Sequence, residues 1–227
     1  MSKNDSRIKD FAAQNQSIQS YVESTFQTED PVLREVRNRS IQNGLPDIQI
    51  ASTDARHLEI LVRLSGAKKI VEIGTLGGYS GICLLRGGGP ESFLHTFELE
   101  KKNAAVAQES FDQHGFTSQV KIHQGPANEN LQSIESEGPF DLVFIDANKK
   151  GYPEYARWAA EHLKKGGVLI GDNTFAFGKI NADTFESPLE EEITLHLREF
   201  NEYVASSGLF RGTILPTGEG LTVGIKL

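Results

Sequence analysis

Between residues 70 and 170 the chain alternates short apolar or β-rich runs with segments of helical spacing. The runs lie at 70–73, 93–98, 120–124, 140–145 and 168–170. Of the stretches between them, one places Ala104, Ala107 and Phe111 on a common face, and another does the same with Tyr152, Tyr155, Ala159 and Leu163. Strands joined by helices of this length fold by right-handed crossovers into a mainly parallel sheet covered on both faces, so an α/β fold is expected. The rhythm then changes. A polar loop at 173–187 leads to a long amphipathic helix carrying Leu189, Ile193, Leu197, Phe200 and Val204, followed by two runs, 210–215 and 221–226, around a short turn. Two strands so closely joined form a hairpin, so the sheet should end with an antiparallel strand.

The first fifty residues read as helical. Ile8, Phe11, Ala12, Asn15, Ile18 and Val22 keep helical spacing, and Asp30-Pro31 has the form of an N-cap followed by proline at the first helical position. A further helix presents Leu58, Leu61 and Val62 and ends near Ser65-Gly66. At 227 residues, one domain spanning 1–227 accommodates all of this, with 1–50 as a helical extension. A net charge of -8 repels phosphate backbones and anionic lipid, which disfavours nucleic acid as a partner. No run approaches the ~20 apolar residues of a membrane span, and residues 1–10 lack the apolar centre of a signal peptide. A soluble, cytoplasmic protein is expected. Cys83 is the single cysteine and sits in an apolar run, as core filler does.

Open parallel sheets bind ligands beyond the carboxyl ends of their strands, so the residues just after each strand carry the information. The first strand runs into Glu72-Ile73-Gly74-Thr75-Leu76-Gly77-Gly78-Tyr79-Ser80. Glycines here let the backbone turn sharply and approach a ligand; Gly74, Thr75, Gly78, Tyr79 and Ser80 are candidate cofactor contacts. The second strand delivers Glu98, placed to accept hydrogen bonds from both hydroxyls of a ribose. Leu76 stands where a dinucleotide fingerprint needs its second glycine, which favours an adenosyl ligand without a pyrophosphate. A bland alternative is a tight turn with Glu98 capping the next helix. A hydrolase elbow is rejected, because Ile82 occupies the place of its last glycine.

The fourth strand ends in Asp146-Ala147-Asn148-Lys149 and the fifth in Asp172-Asn173. In a doubly wound sheet these strands are neighbours, so Asp146, Asp172 and Asn173 converge as three oxygen donors. Oxygen-only ligation suits a hard cation, Mg²⁺ first, with Ca²⁺ or Mn²⁺ as alternatives. The six histidines show no pairing at ligand spacing, which argues against zinc. Lys149 reaches the same rim, and a lysine partly desolvated beside a cation loses its proton more readily, the requirement for a general base.

Together, Glu72-Ile73-Gly74-Thr75, Gly78-Tyr79-Ser80, Gly125-Pro126-Ala127, the run 140–147, Gly166-Gly167, Asp172-Asn173-Thr174, the run 197–201, Leu215-Pro216 and Gly220-Leu221-Thr222 resemble the cation-dependent O-methyltransferases of the caffeoyl-CoA and catechol type. The likeness extends from about Tyr21 to the C-terminus. It implies a Rossmann-like seven-stranded sheet in a homodimer, with N-terminal helices and the loop after Asn173 closing over the acceptor. It implies that Glu72, Gly74 and Ser80 hold the methionine part of S-adenosylmethionine, Glu98 its ribose and Ala127 its adenine. It further implies Asp146, Asp172 and Asn173 as metal ligands and Lys149 as the catalytic lysine, with Asp146 close to the chemistry. Asn148 departs from the usual Asp-Ala-Asp-Lys string, Ile48 from a frequent methionine, Arg56-His57 from a Gln-Phe pair and Ala176-Phe177 from a Trp-Asn pair. These departures bear on the acceptor more than on the chemistry.

The expected reaction is methyl transfer to a hydroxyl of a small catechol-like or hydroxycinnamoyl-like acceptor. Three rivals are a tRNA hydroxyuridine O-methyltransferase of the same family, a nicotinamide-dependent oxidoreductase and a non-catalytic nucleotide-binding protein. The acidic charge opposes the first, Leu76 the second, and the intact set Asp146, Lys149, Asp172 and Asn173 the third.

Overall fold

A computed structural model describes residues 16–227. In chain order the elements are α1 (Gln16–Phe26), α2 (Pro31–Gln42), α3 (Ser52–Ser65), β1 (Lys69–Ile73), α4 (Tyr79–Gly88), β2 (Phe93–Glu98), α5 (Lys101–Gln113), β3 (Val120–Gln124), α6 (Ala127–Asn130), β4 (Phe140–Ile145), α7 (Tyr152–His162), β5 (Leu163–Gly171), α8 (Pro188–Ser206), β6 (Phe210–Leu215) and β7 (Leu221–Lys226). The seven strands form one sheet in the order β3-β2-β1-β4-β5-β7-β6. Strands β1 to β5 pair in parallel, and β7 runs antiparallel to both of its neighbours. The Rossmann-like sheet with one antiparallel strand is therefore the observed fold. Strand order reverses at β1, between β2 and β4, and opens a crevice there at the carboxyl ends.

Side chains alternate between the two faces with period two. From β1 and β4, Ile70, Leu142 and Phe144 join one core with Leu58 and Val62 of α3, Ile82 of α4 and Phe111 of α5. Val71, Ile73, Val143 and Ile145 join the other with Tyr152 and Ala156 of α7 and Phe200 of α8. Each large side chain fully removed from water contributes about 1.5–3 kcal/mol, so the two faces together fix the register of the central strands. Glu72 shares the parity of Ile70 and so points to the side of α4 and α5.

Local signals set the helix ends. Asp30 caps α2, its carboxylate accepting from the Leu33 amide at 3.1 Å ahead of Pro31 at the first turn. Gly66 ends α3 in the left-handed conformation. Two expectations need correction. The first fifty residues are not helical throughout, since 43–51 form no helix; Ile8, Phe11, Ala12 and Asn15 lie outside the described residues. Leu163 does not close the helix of Tyr152 and Tyr155. It turns extended, pairs with Phe140 and opens a nine-residue β5 that starts well before residue 168. Its burial satisfies a strand as well as it would a helix face, so apolarity alone could not place the boundary. Among the described residues no helix is long and apolar enough to cross a membrane.

Candidate active site

The turn after β1 is built around two buried carboxylates. Glu72, fully buried, accepts hydrogen bonds from the hydroxyls of Ser80 at 2.5 Å and Thr96 at 2.6 Å. Burial raises its pKa to about 7, the two hydroxyls pulling it down and the nearby Asp146 pushing it up. Glu98 holds the turn itself: one oxygen accepts from the amides of Leu76 at 2.8 Å and Thr75 at 3.3 Å. Its other oxygen accepts from the Glu100 amide at 2.9 Å and the Asn103 side chain at 3.2 Å. Glu98 therefore does tie down the start of α5, as the bland reading has it, while also facing the crevice.

Gly78 takes a left-handed φ of 89° and opens α4, whose first residues are Tyr79 and Ser80. The Tyr79 hydroxyl donates to Glu29 at 3.1 Å, and Arg37 donates to the same carboxylate at 2.7 Å with its guanidinium over the Tyr79 ring. The N-terminal segment is thus fastened to the turn by Glu29 and Arg37, two residues without any motif to mark them.

The tips of β4 and β5 lie side by side, because Ile145 pairs with Gly171 and the next residues are Asp146 and Asp172. The amide of Asp146 bonds the carbonyl of Ile73, and that of Asp172 the carbonyl of Ile145, both at 2.9 Å, so three strand ends are stitched together. Asp172 is 2% exposed, and its carboxylate accepts from the Asn173 amide at 2.7 Å. Burial first, and the charge of Asp146 second, push its pKa well above the usual carboxylate range. The Lys149 ammonium donates to Asp146 at 3.0 Å and to the Tyr152 hydroxyl at 2.8 Å. That hydroxyl in turn shares its proton between the carbonyls of Ile145, at 3.1 Å, and Asp172, at 3.0 Å. Sequence reasoning assigned Tyr152 only to the helix core; its position three residues after Lys149 was the available clue.

Asn173 has a left-handed φ of 55°, and Ala176 and Phe177 follow at 50° and 53°. Such residues cost on the order of 1 kcal/mol or more each and need support from outside. The support is visible. Asn201 donates to the Thr174 carbonyl at 3.0 Å, while the Thr222 hydroxyl shares its proton between the Asn201 side-chain oxygen at 2.7 Å and the Thr174 hydroxyl at 2.8 Å. Thr174 and Phe175 bond backward to Gly220 and Glu219. Three separate strings of the sequence, 172–174, 197–201 and 220–222, meet to hold one loop.

A cavity of about 640 Å³ joins both ends, within the range of small-ligand sites. Gly74, Thr75, Tyr79, Ser80, Glu98 and Ala127 line one part, and Asp146, Lys149 and Asn173 the other. Glu72, Gly78 and Asp172 stand behind this surface. Sequence reasoning did not single out Gln49, Ile50, Leu99, Asn103 or Tyr155, which also line it. Ile48, Leu99 and Phe177 form an apolar rim, each more than half exposed. Two of the six histidines meet in space: His95 and His123 lie 3.1 Å apart because β2 and β3 are adjacent, a proximity that spacing along the chain does not reveal.

Residues 22–227 match the family model described as O-methyltransferase. This chain belongs to the O-methyltransferase family. It is 35% identical over 202 residues to a catechol O-methyltransferase of Niastella koreensis, covering 88% of this chain and 90% of that one. A catechol O-methyltransferase of Mycobacterium tuberculosis is also 35% identical, over 74% of this chain and 76% of its own. Among solved structures, the O-methyltransferase of Bacillus cereus in complex with SAH superposes with a TM-score of 0.85 at 31% identity, over 93% of this chain and 97% of that one. The crevice of this methyltransferase carries a buried-acid turn at one end and Lys149 beside Asp146 at the other.

Proposed function

We propose that the chain transfers the methyl group of S-adenosylmethionine to a hydroxyl of a small catechol-like or hydroxycinnamoyl-like acceptor, with a divalent cation, Mg²⁺ first, held by Asp146, Asp172 and Asn173. The observation that carries this reading is the junction of β4 and β5, where Asp146, Lys149 and Asn173 line the cavity and the buried Asp172 follows the neighbouring strand just behind its wall. The donor set fits a hard cation: all three groups offer oxygen, and Asp172 is buried beside Asp146 with its charge opposed by that neighbour. A cation bound there supplies electrostatic stabilisation to an oxyanion developing on the acceptor.

The remaining work falls to the chain. Glu72 and Ser80 with the turn 74–79, Glu98 and Ala127 orient the methyl donor along the cavity. Ile48, Leu99 and Phe177 cover an aromatic acceptor and exclude water. Lys149, aimed by Asp146 and Tyr152 and having first given up a proton to solvent, takes the hydroxyl proton on its neutral Nζ, and the acceptor oxygen then bonds to the methyl carbon as the carbon–sulfur bond breaks. Positioning of this kind contributes up to about 7–11 kcal/mol in ideal geometry. The relatives named for catechol O-methyltransferase support an acceptor with adjacent hydroxyls. The net charge of -8 favours this over the tRNA reading. A homodimeric, cytoplasmic enzyme of one domain, with its N-terminal segment as a lid, completes the proposal.

Labelled methyl donor and a panel of catechols, hydroxycinnamoyl thioesters and tRNA test it. Transfer to a catechol that EDTA abolishes and Mg²⁺ restores is expected; full activity in EDTA removes the metal, and transfer only to tRNA replaces the acceptor. Lys149→Ala should lower turnover by roughly 10²–10⁴ with donor affinity retained, and an unchanged turnover number disqualifies Lys149.

A further inference from the structure

Two tyrosines line the cavity, and they differ in what holds their hydroxyls. That of Tyr79 bonds Glu29 at 3.1 Å. That of Tyr155 meets no hydrogen-bonding group of the chain among the described residues, although the residue is only 7% exposed. Buried tyrosines usually give the phenolic hydroxyl a partner. This one is not shut inside the core with its hydrogen bond unmade, so it opens on the cavity that Tyr155 lines.

The ring is seated on the turn that carries Lys149. Residues 149–151 form one short turn capped by Asn148, and a Cβ on residue 151 would lie 2.5 Å from the Tyr155 ring and 2.8 Å from its hydroxyl oxygen. Tyr155 therefore folds back from the first turn of α7 onto Gly151, which places its hydroxyl at the lysine end of the cavity. Asn148, at the start of the same turn, lines the cavity too. Its side-chain oxygen accepts from the Lys150 amide at 3.0 Å, so what it has left for a ligand is the two N–H groups of its amide. Beside the apolar rim of Ile48, Leu99 and Phe177, a few polar groups of this kind fix how a ligand lies. Phenol and amide together present donors. The ligand atom that satisfies both is a carbonyl oxygen, whereas an ammonium could use only the phenol oxygen.

We propose that Tyr155, with Asn148 at the other end of the turn, determines acceptor specificity by donating its hydroxyl proton in a hydrogen bond to a carbonyl oxygen on the side chain of the aromatic acceptor. This rests on the methyl-transfer reading above and narrows its acceptor to catechols that carry a carbonyl group.

Initial-rate kinetics with saturating methyl donor and Mg²⁺ test it on 3,4-dihydroxybenzaldehyde, 4-methylcatechol and dopamine. Wild type should show its lowest KM for the aldehyde. Tyr155→Phe keeps the ring and deletes only the hydroxyl, so melting should stay as in wild type while the ratio of KM for the aldehyde to KM for 4-methylcatechol rises roughly tenfold, with far less change in the turnover number for the aldehyde. Comparing variant with wild type on both acceptors cancels the different acidity of their hydroxyls. A structural role alone would move both KM values together, and a ratio within twofold of wild type overturns the proposal. So does a wild type whose lowest KM is for dopamine or 4-methylcatechol. A wild type that methylates none of the three overturns it together with the acceptor reading. Gly151 has a φ of -80°, open to any residue, so Gly151→Ala displaces the Tyr155 ring without backbone strain and is read in the same way if Tyr155→Phe does not fold. If neither folds, Tyr155 is structural and the proposal falls.

Discussion

A Cβ on residue 74 would lie 1.9 Å from the carbonyl oxygen of Asp146, so Gly74 and Asp146 can be neighbours only while residue 74 has no side chain. This glycine does more than bend a ligand loop: it lets the tip of β1 approach the tip of β4, and with a φ of 98° it also holds a conformation that L side chains rarely adopt.

Gly74→Ala should therefore disturb both halves of the cavity. The comparison is Gly115→Ala, where φ is likewise positive at 80° but no atom lies within 4 Å of the new Cβ. There the cost is conformational, on the order of 1 kcal/mol, whereas at Gly74 backbone has to move as well. Thermal unfolding should show the larger loss for Gly74→Ala, along with weakened binding of both S-adenosylmethionine and Mn²⁺. Equal melting temperatures for the two variants would mean that the strand tips relax without cost.

Much of this was legible beforehand, for identifiable reasons. The strands and the order of their tips follow from apolar runs and period-two burial, and that order alone brings Asp146 next to Asp172. Roles that depend on contacts distant in sequence were not legible. Nothing near Glu29 or Arg37 marks them as the anchor of Tyr79. Tyr152 was read as packing because its ring does pack, against Phe200; only the direction of its hydroxyl gives it a second role. The His95–His123 contact arises from strand adjacency and has no trace in local spacing.

Tyr152→Phe isolates that second role. It keeps the ring and removes the group that accepts from Lys149 and caps two strand-end carbonyls. Leaving buried polar groups unsatisfied costs about 1–3 kcal/mol, so melting should shift downward modestly. Turnover should fall, though less than for Lys149→Ala, because Asp146 still holds the ammonium at 3.0 Å. Steady-state kinetics beside donor titration separates the effects; an unchanged turnover number would show that Lys149 needs no help from Tyr152.

Glu72 makes the unliganded protein less stable as the medium becomes alkaline. Its ordinary pKa of 4.5 rises to about 7 in the fold, so between these values the native state binds more protons than the unfolded one. Stability from this group is complete below pH 4.5 and lost as pH rises toward 7, an effect of roughly 3 kcal/mol at most. Glu72→Gln removes the titrating proton. Urea unfolding without methyl donor should place the variant nearer to wild type, or above it, at pH 8 than at pH 5. The opposite ordering would show that Glu72 stays ionised throughout.

The histidine pair acts in the other direction over the same pH range. His95 is buried between His123 and Glu137, its two ring nitrogens 3.1 Å from each. Burial lowers the pKa of both histidines from 6.5, that of His123 to about 4, where the proximity of His95 adds to the effect. The fold thus binds fewer protons than the unfolded chain between these values, and the stability contributed above pH 6.5 declines as pH falls toward 4. Because Glu72 gains what the pair loses, the wild-type stability profile between pH 5 and 7 should be flatter than either contribution alone. The two kinds of variant uncover the cancellation: His123→Asn should make the protein more stable at pH 5 relative to pH 7, and Glu72→Gln less. Urea unfolding of wild type and the two variants at the two pH values gives three pH dependences to compare, and parallel profiles for wild type and His123→Asn would mean that the pair carries no linked protons in this range.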